Sequence, residues 1–319
     1  MFDRILAPLD GSTLAECVLP HVVSLAKAYD ARVFLVQVLE CPEATGGEPI
    51  DPLHWELCKA EAEAYLSDVS ARLKDGGVDS VATELLEGRA AQRLVEYAAE
   101  NRVDLIILSS HGKAGLSRWN VNSVVRKIVQ RANRSTMIVR AYKAVEAETL
   151  DEARYERLLV PLDGSRRAEC ALSAAVTLAR HHNAKLLLGH VVHRPEMPRQ
   201  VPLTDDDQAL IDRFVQRCRD LNMAYMDQLR ARLSLAFEAT LEVNEDVASA
   251  LHAMVEEESV DLVVLSAHGY SGKSKWPFGS VTSSFIEYGT TPLLMTQDMA
   301  PEEVEPTEAE KASEESKGH

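Results

Sequence analysis

The stretch Ile5-Leu6-Ala7-Pro8-Leu9-Asp10-Gly11-Ser12 returns as Leu158-Leu159-Val160-Pro161-Leu162-Asp163-Gly164-Ser165. A second stretch, Val103-Asp104-Leu105-Ile106-Ile107-Leu108-Ser109-Ser110-His111-Gly112, returns as Val260-Asp261-Leu262-Val263-Val264-Leu265-Ser266-Ala267-His268-Gly269. In each, an apolar run ends in small polar residues and glycine, which reads as a buried strand passing into a turn. The copies lie about 155 residues apart, far beyond the periods of roughly 20–50 residues that build solenoids. This is a duplicated domain, and each copy is a control for the other.

Working outward from these phrases, the first copy predicts strands at Arg4–Leu9, Arg32–Leu39, Val81–Leu86, Asp104–Ser109 and Thr136–Arg140. Between them, helical spacing of apolar residues predicts helices after Ser12, over Trp55–Leu73 (stopped by Gly76-Gly77), over Ala90–Glu100 and over Ser123–Ala132. Cys41–Pro52 reads as a loop. The second copy repeats the order from Arg157 to about Gln297, with a proline-rich connection at His193–Asp207. Strands that are apolar throughout, alternating with helices, imply a parallel sheet covered on both faces. The expected fold class is therefore α/β, with two tandem doubly wound, Rossmann-like domains of five strands each. We place the first at residues 1–142, a charged linker at 143–155, the second domain at 156–299 and a disordered acidic tail at 300–319.

Composition excludes several function classes. The formal charge of −16 opposes broad contact with a nucleic-acid backbone, which needs a basic surface. No apolar run approaches the roughly 20 residues that span a bilayer, and no secretory signal is legible, so a cytoplasmic location is expected. The five cysteines have no metal-type spacing, and Cys17 and Cys170 read as small buried hydrophobes.

In an open parallel sheet, ligands bind beyond the C-terminal strand ends where strand order reverses. Three segments of each copy meet there: Asp10 and Asp163 after the first strand, Val38 and Val191 at the end of the second, and the loop after the fourth. In the second copy that loop runs from Ser266 through Gly269 and, after nine residues, to Gly279-Ser280-Val281-Thr282. Gly279-Ser280 opens a helix, whose unpaired N–H groups and dipole suit phosphate. The first copy has Ser109, Gly112 and then Asn122-Ser123, where the asparagine side chain takes up space that phosphate would use. Read from the residues alone, these glycines serve equally well as turn residues, with Asp10 and Asp163 capping a turn or a helix.

On these residues the chain resembles the universal stress protein family, whose nucleotide-binding members carry Gly-x2-Gly-x9-Gly-Ser/Thr at this loop. The resemblance covers both copies and implies the adenine-nucleotide α-hydrolase-like form of the fold. It further implies that Asp163 and Val191 meet the adenine end of ATP. Ser266 and Gly269 would then lie by ribose and phosphate, with Gly279, Ser280, Val281 and Thr282 on the phosphates and Mg²⁺ a possible companion. The equivalent positions Asp10, Val38, Ser109, Gly112, Asn122 and Ser123 form the weaker site. The implied function is an ATP-binding stress-response regulator acting through a protein partner. Family members pair through their last strands, so an internal pseudo-dimer is expected, with self-association of the whole chain into a homodimer as a further expectation.

Two rival readings stand beside it. One is a nucleotide-free interaction scaffold with vestigial sites. The other is a P-loop ATPase, because Ala267-His268-Gly269-Tyr270-Ser271-Gly272-Lys273-Ser274 nearly matches that motif; there, however, the helix should begin at the Lys-Ser pair. His111 and His268 lack a nucleophile and orienting acid in recognisable order and read as structural. Trp119 and Trp276, in matching loops, read as packing residues.

Overall fold

The computed structural model describes residues 1–40, 51–112, 121–141, 150–195, 204–270 and 278–298. The first copy runs β1 (Arg4–Leu9), a 3₁₀ turn (Ala15–Val18), α1 (Leu19–Tyr29), β2 (Arg32–Leu39), α2 (Pro52–Asp75), β3 (Val81–Glu87), α3 (Ala90–Glu100), β4 (Leu105–Ser109), α4 (Ser123–Arg131) and β5 (Ser135–Val139). The second runs β6 (Arg157–Pro161), α5 (Cys170–His182), β7 (Lys185–His193), α6 (Asp205–Arg232), β8 (Phe237–Asn244), α7 (Val247–Glu257), β9 (Leu262–Ser266), α8 (Ser280–Tyr288) and β10 (Leu293–Thr296).

The strands form one ten-stranded sheet in the order β3-β2-β1-β4-β5-β10-β9-β6-β7-β8. Pairing is parallel within each copy and antiparallel only where the copies meet, with Leu294 opposite Met137 and Leu293 opposite Ile138. The two five-stranded sheets expected from the sequence are thus halves of one continuous sheet, related like the subunits of a dimer. Within each half the order reverses between the first and fourth strands, which puts a crevice beyond β1 and β4, and its counterpart beyond β6 and β9.

Alternating side chains send each strand into two cores, one per face, and both cores run through the seam. Met137 and Leu294 join the core under α1 and α5, whereas Ile138 and Leu293 join the one under α4 and α8. Across the seam the Arg140 guanidinium donates to the carbonyls of Phe285 (2.6 Å) and Ile286 (3.0 Å), satisfying acceptors at the C-terminal end of α8. The aspartates of the second repeated phrase are structural. Asp104 accepts from the amides of Asp3 and Arg4, as Asp261 does from Glu156 and Arg157, so each fixes the start of a first strand.

Local chemistry shifts several expected boundaries. α2 begins at Pro52, with the Asp51 carboxylate accepting from Leu53 N at 3.2 Å, so the loop is shorter than expected at that end; Cys41–Ile50 lie outside the described residues. α6 begins at Asp205 because Thr204 and Asp207 form a reciprocal capping box. Of the stretch read as linker, the described part is packed: Leu150 and Tyr155 are buried, and Ala153 N donates to Pro20 O at 3.0 Å. The acidic tail lies outside the described residues. Cys17 is buried as expected, its thiol pushed up to about 11 by burial. Cys170, its counterpart by sequence, is exposed at the start of α5, so the buried reading was wrong for it.

Candidate functional site

The aspartate after each first strand holds its own turn. Asp163 Oδ1 accepts from Ser165 N at 2.9 Å, and Asp10 Oδ1 from Ser12 N at 2.9 Å. The serine hydroxyls in turn accept from Ala168 N and Ala15 N, starting the helices that follow. Gly164 and Gly11 sit at φ of 82° and 76°, where a side chain would be strained.

The second carboxylate oxygen faces the loop after the fourth strand. Asp163 Oδ2 accepts from Tyr270 N at 2.6 Å. A Cβ on Gly269 would overlap that oxygen, and one on Gly112 would overlap Asp10 Oδ2. These two glycines, read from the sequence as turn residues, are therefore required by the close approach of a carboxylate. The loop is braced from the other side by serine. Ser266 Oγ donates to His268 O at 2.9 Å, and Ser109 Oγ to His111 O at 2.5 Å, so a hydroxyl in each copy occupies the place of the pattern's first glycine.

The copies part company at the helix that follows. The backbone frame is the same: Gly279 N donates to Ala267 O and Gly279 O accepts from Ser283 N, as Asn122 N donates to Ser110 O and Asn122 O accepts from Arg126 N. In the first copy the Asn122 side chain turns back and accepts from Val124 N at 3.0 Å, capping α4. Gly279 offers no such group, and α8 starts without a side-chain cap. Nor does the fold need glycine there: φ is −70°, and an added Cβ would meet its nearest neighbours at 3.7–3.8 Å, ordinary contact. The amides of Ser280, Val281 and Thr282 precede the first intrahelical bond at Ser283, and all three residues line the cleft.

Asp163, Val191, Ser266, Gly269, Gly279, Ser280, Val281 and Thr282 all line one cleft, with Val247, Leu251 and Leu265 forming its apolar wall. Asp10, Val38, Ser109, Gly112 and Asn122 line the equivalent cleft of the first copy; Ser123 is exposed at the start of α4. Ser280 is exposed, whereas the Thr282 hydroxyl is buried and donates to Ser266 O at 3.0 Å, tying α8 to β9. Among the described residues lining the second cleft there is no Lys or Arg, and burial holds His190, hydrogen-bonded to Leu162 O nearby, below the ordinary imidazole range. Among the described lining residues, what can meet an anion here is the backbone amides and the helix dipole.

Cleft size runs the other way. The first-copy cleft encloses about 410 Å³ and the second about 120 Å³. Ala90 opens α3 on the wall of the first, whereas bulkier Val247 opens α7 on the wall of the second.

Sequence reading missed one partner at this end. His268 is buried with Nδ1 at 2.8 Å from Asp298 Oδ1, and Asp298 Oδ2 lies 3.6 Å from Arg167 Nε. His111 instead meets Ser110 Oγ at 3.0 Å. Thirty residues separate His268 from Asp298, and only the strand order brings them together. Gly272-Lys273-Ser274, Trp119 and Trp276 lie outside the described residues, but α8, the helix described after β9, starts at Ser280 and not at the Lys-Ser pair.

Comparison with known proteins fits this picture. Two stretches, residues 1–140 and 154–297, match the sequence profile of the universal stress protein family. The chain belongs to that family. It carries the family's domain twice, so single-domain relatives align with less than half of it. A universal stress protein of Methanocaldococcus jannaschii is 31% identical over 145 residues, 45% of this chain and 85% of that protein. A putative universal stress protein of Staphylococcus aureus strain USA300 is 30% identical over 140 residues, 44% of this chain and 84% of its own length. Among solved structures, a universal stress protein from Archaeoglobus fulgidus covers 94% of this chain and 100% of its own, with a TM-score of 0.67 at 17% identity. That likeness establishes the tandem fold.

Proposed function

We propose that this tandem universal stress protein binds an adenine nucleotide, ATP foremost, chiefly in the second domain. Occupancy would alter its contacts with a protein partner in a cytoplasmic stress response. The observation that carries the reading is the uncapped start of α8 beside Asp163 and Val191, where glycine serves neither backbone angle nor packing. Three amides of one helix start then face the phosphates, and the apolar wall of Val191, Val247 and Leu251 takes the base. With no cationic side chain among the described lining residues, Mg²⁺ would accompany the phosphates as counter-ion.

The small second cleft favours one rival, the nucleotide-free scaffold, since ligand pockets usually enclose about 300–1,000 Å³. Nucleotide released on denaturing the purified protein, identified by mass spectrometry and counted per chain, decides between them. About one ATP per chain supports the proposal; no nucleotide, together with no thermal shift in millimolar ATP, installs the scaffold. Gly279→Asp would set a carboxylate against the phosphates and should lower ATP affinity by at least about 100-fold, the equivalent of roughly 2.7 kcal/mol. Unchanged affinity would show that the nucleotide binds elsewhere.

A further inference from the structure

The duplicated helices α1 and α5 end differently. In the first copy Phe2 packs edge-on against Tyr29, ring centres 4.9 Å apart; in the second, Tyr155 packs edge-on against His182 at 4.8 Å. An apolar plug has become a polar one, and the residue before it has changed from Ala28 to His181. The segment leading into β6 brings Glu152 to the same place. Its Oε1 lies 2.7 Å from His181 Nε2 and 4.0 Å from His182 Nδ1, while Oε2 faces Lys27 Nζ of α1 at 3.3 Å. His182 Nε2 is held by Ser24 Oγ, also of α1, at 2.8 Å.

We propose that Glu152, His181 and His182 bind a divalent transition-metal ion of the zinc type at the junction of the two domains. Two imidazole nitrogens and one carboxylate oxygen, with solvent in a fourth position, make a complete tetrahedral set. One donor atom from each residue already lies within 4.8 Å of the others. Zinc bonds of about 2.0–2.1 Å put tetrahedral ligands about 3.3 Å apart. The separations of 2.7 and 4.0 Å from Glu152 Oε1 bracket that value, and with the three donor atoms spread over as much as 4.8 Å, the carboxylate and the imidazoles must draw together to hold an ion. At 4.0 Å, Oε1 and His182 Nδ1 are beyond hydrogen-bond reach, whereas the 2.7 Å contact of His181 Nε2 is a hydrogen bond that metal binding would replace.

The surroundings fit this use. Ser24 occupies the far nitrogen of His182, the outer-shell contact that fixes a ligating imidazole and leaves the near nitrogen for metal. The His182 side chain is 4% exposed, whereas those of His181 and Glu152 are 30% and 25% exposed, giving one fixed ligand and two that solvent can reach. Lys27 sits on the opposite carboxylate oxygen and need not leave. The mixed nitrogen and oxygen set selects zinc-like ions over Mg²⁺ or Ca²⁺, which prefer oxygen alone. A bound ion would pin the segment before β6 to the end of α5, with α1 of the first domain in its outer shell.

The test uses the full chain freed of metal by a chelator, titrated with Zn²⁺ against a chromophoric competitor, and with Co²⁺ for the visible bands of tetrahedral coordination. One Zn²⁺ per chain is expected, with a Zn²⁺-dependent rise in melting temperature. His181→Ala, which installs the first copy's residue, and Glu152→Gln should each weaken binding by at least about tenfold and abolish the thermal shift. Metal-free melting curves report separately whether either variant has lost its fold. Wild-type protein that takes up no Zn²⁺, or both variants titrating like wild type, overturns the proposal. So does binding lost in His54→Ala alone, which would place the ion at the His54–Cys58 pair of α2, where Nε2 and Sγ lie 3.8 Å apart.

Discussion

Asn122 and Gly279 hold the same place in the two copies, with the same backbone hydrogen bonds before and after them. One caps its helix and the other leaves the helix start open. The first copy has the roomier cleft and closed donors; the second has open donors and a tighter cleft. Duplication has thus preserved the framework of the pocket, the strand-end aspartate and the glycine beneath it, while separating the two things a nucleotide needs. On the proposed function, that separation gives a physical basis for one strong site per chain, carried on a sheet and cores that the copies share as a single folded unit.

The largest effect should come from breaking that unit. Met137 is fully buried and pairs with Leu294 across the only antiparallel step described in the sheet, within a core that both copies share. Met137→Ala should lower stability by about 2–5 kcal/mol. Calorimetry should still show one transition, shifted for both copies together. Two transitions, with only one of them displaced, would mean that the copies fold independently.

A smaller effect follows from the junction, where the copies also differ. His21 Nδ1 meets the Tyr155 hydroxyl at 2.7 Å, and burial lowers the His21 imidazole to about 4; the second copy has Ala174 at the matching position. The folded protein keeps this ring neutral while the unfolded chain takes up a proton near the ordinary value of about 6.5. The unfolded state therefore binds more protons between about pH 6.5 and 4, so stability falls as pH falls through that window and is unaffected above it. The loss should approach on the order of 2 kcal/mol, allowing for the ring's partial exposure. Urea titrations across this range should show a shallower pH slope for His21→Ala than for wild type. Parallel slopes would show that the ring is already solvated.

Much of this was legible in the sequence because the signals are local. The repeat fixed the domain count, the apolar strand runs implied a parallel sheet, and the spacing from Gly269 to Gly279 placed the two ends of one cleft. Other features depend on chain paths that no local pattern records. The fusion of two sheets into one rests on β5 meeting β10, and the pairing of His268 with Asp298 rests on β9 lying beside β10. Gly269 reads as a turn residue, whereas a carboxylate three strands earlier in the chain sets the requirement for glycine. Thr282 sits in the cleft as the motif implies, yet its hydroxyl holds Ser266 O rather than facing outward. A motif gives a residue's address more readily than the direction its side chain faces.

The finest cut is to exchange the two caps. Gly279→Asn should let the new side chain accept from Val281 N, as Asn122 accepts from Val124 N, and withdraw one amide from the phosphates. A hydrogen bond to a charged group contributes about 1.5–3 kcal/mol, so ATP affinity in the second domain should fall by roughly tenfold or more. Asn122→Gly does the reverse in the larger cleft. Because glycine is itself a tolerable cap, stability should fall by only a few tenths of a kcal/mol, about the smallest change calorimetry resolves. Bound nucleotide, counted in a Gly279→Asp background that silences the second site, should then rise from the first domain. If it does not, the cap is not what closes that site, and the difference between the copies must lie in the cleft walls, with Ala90 and Val247 the next pair to exchange.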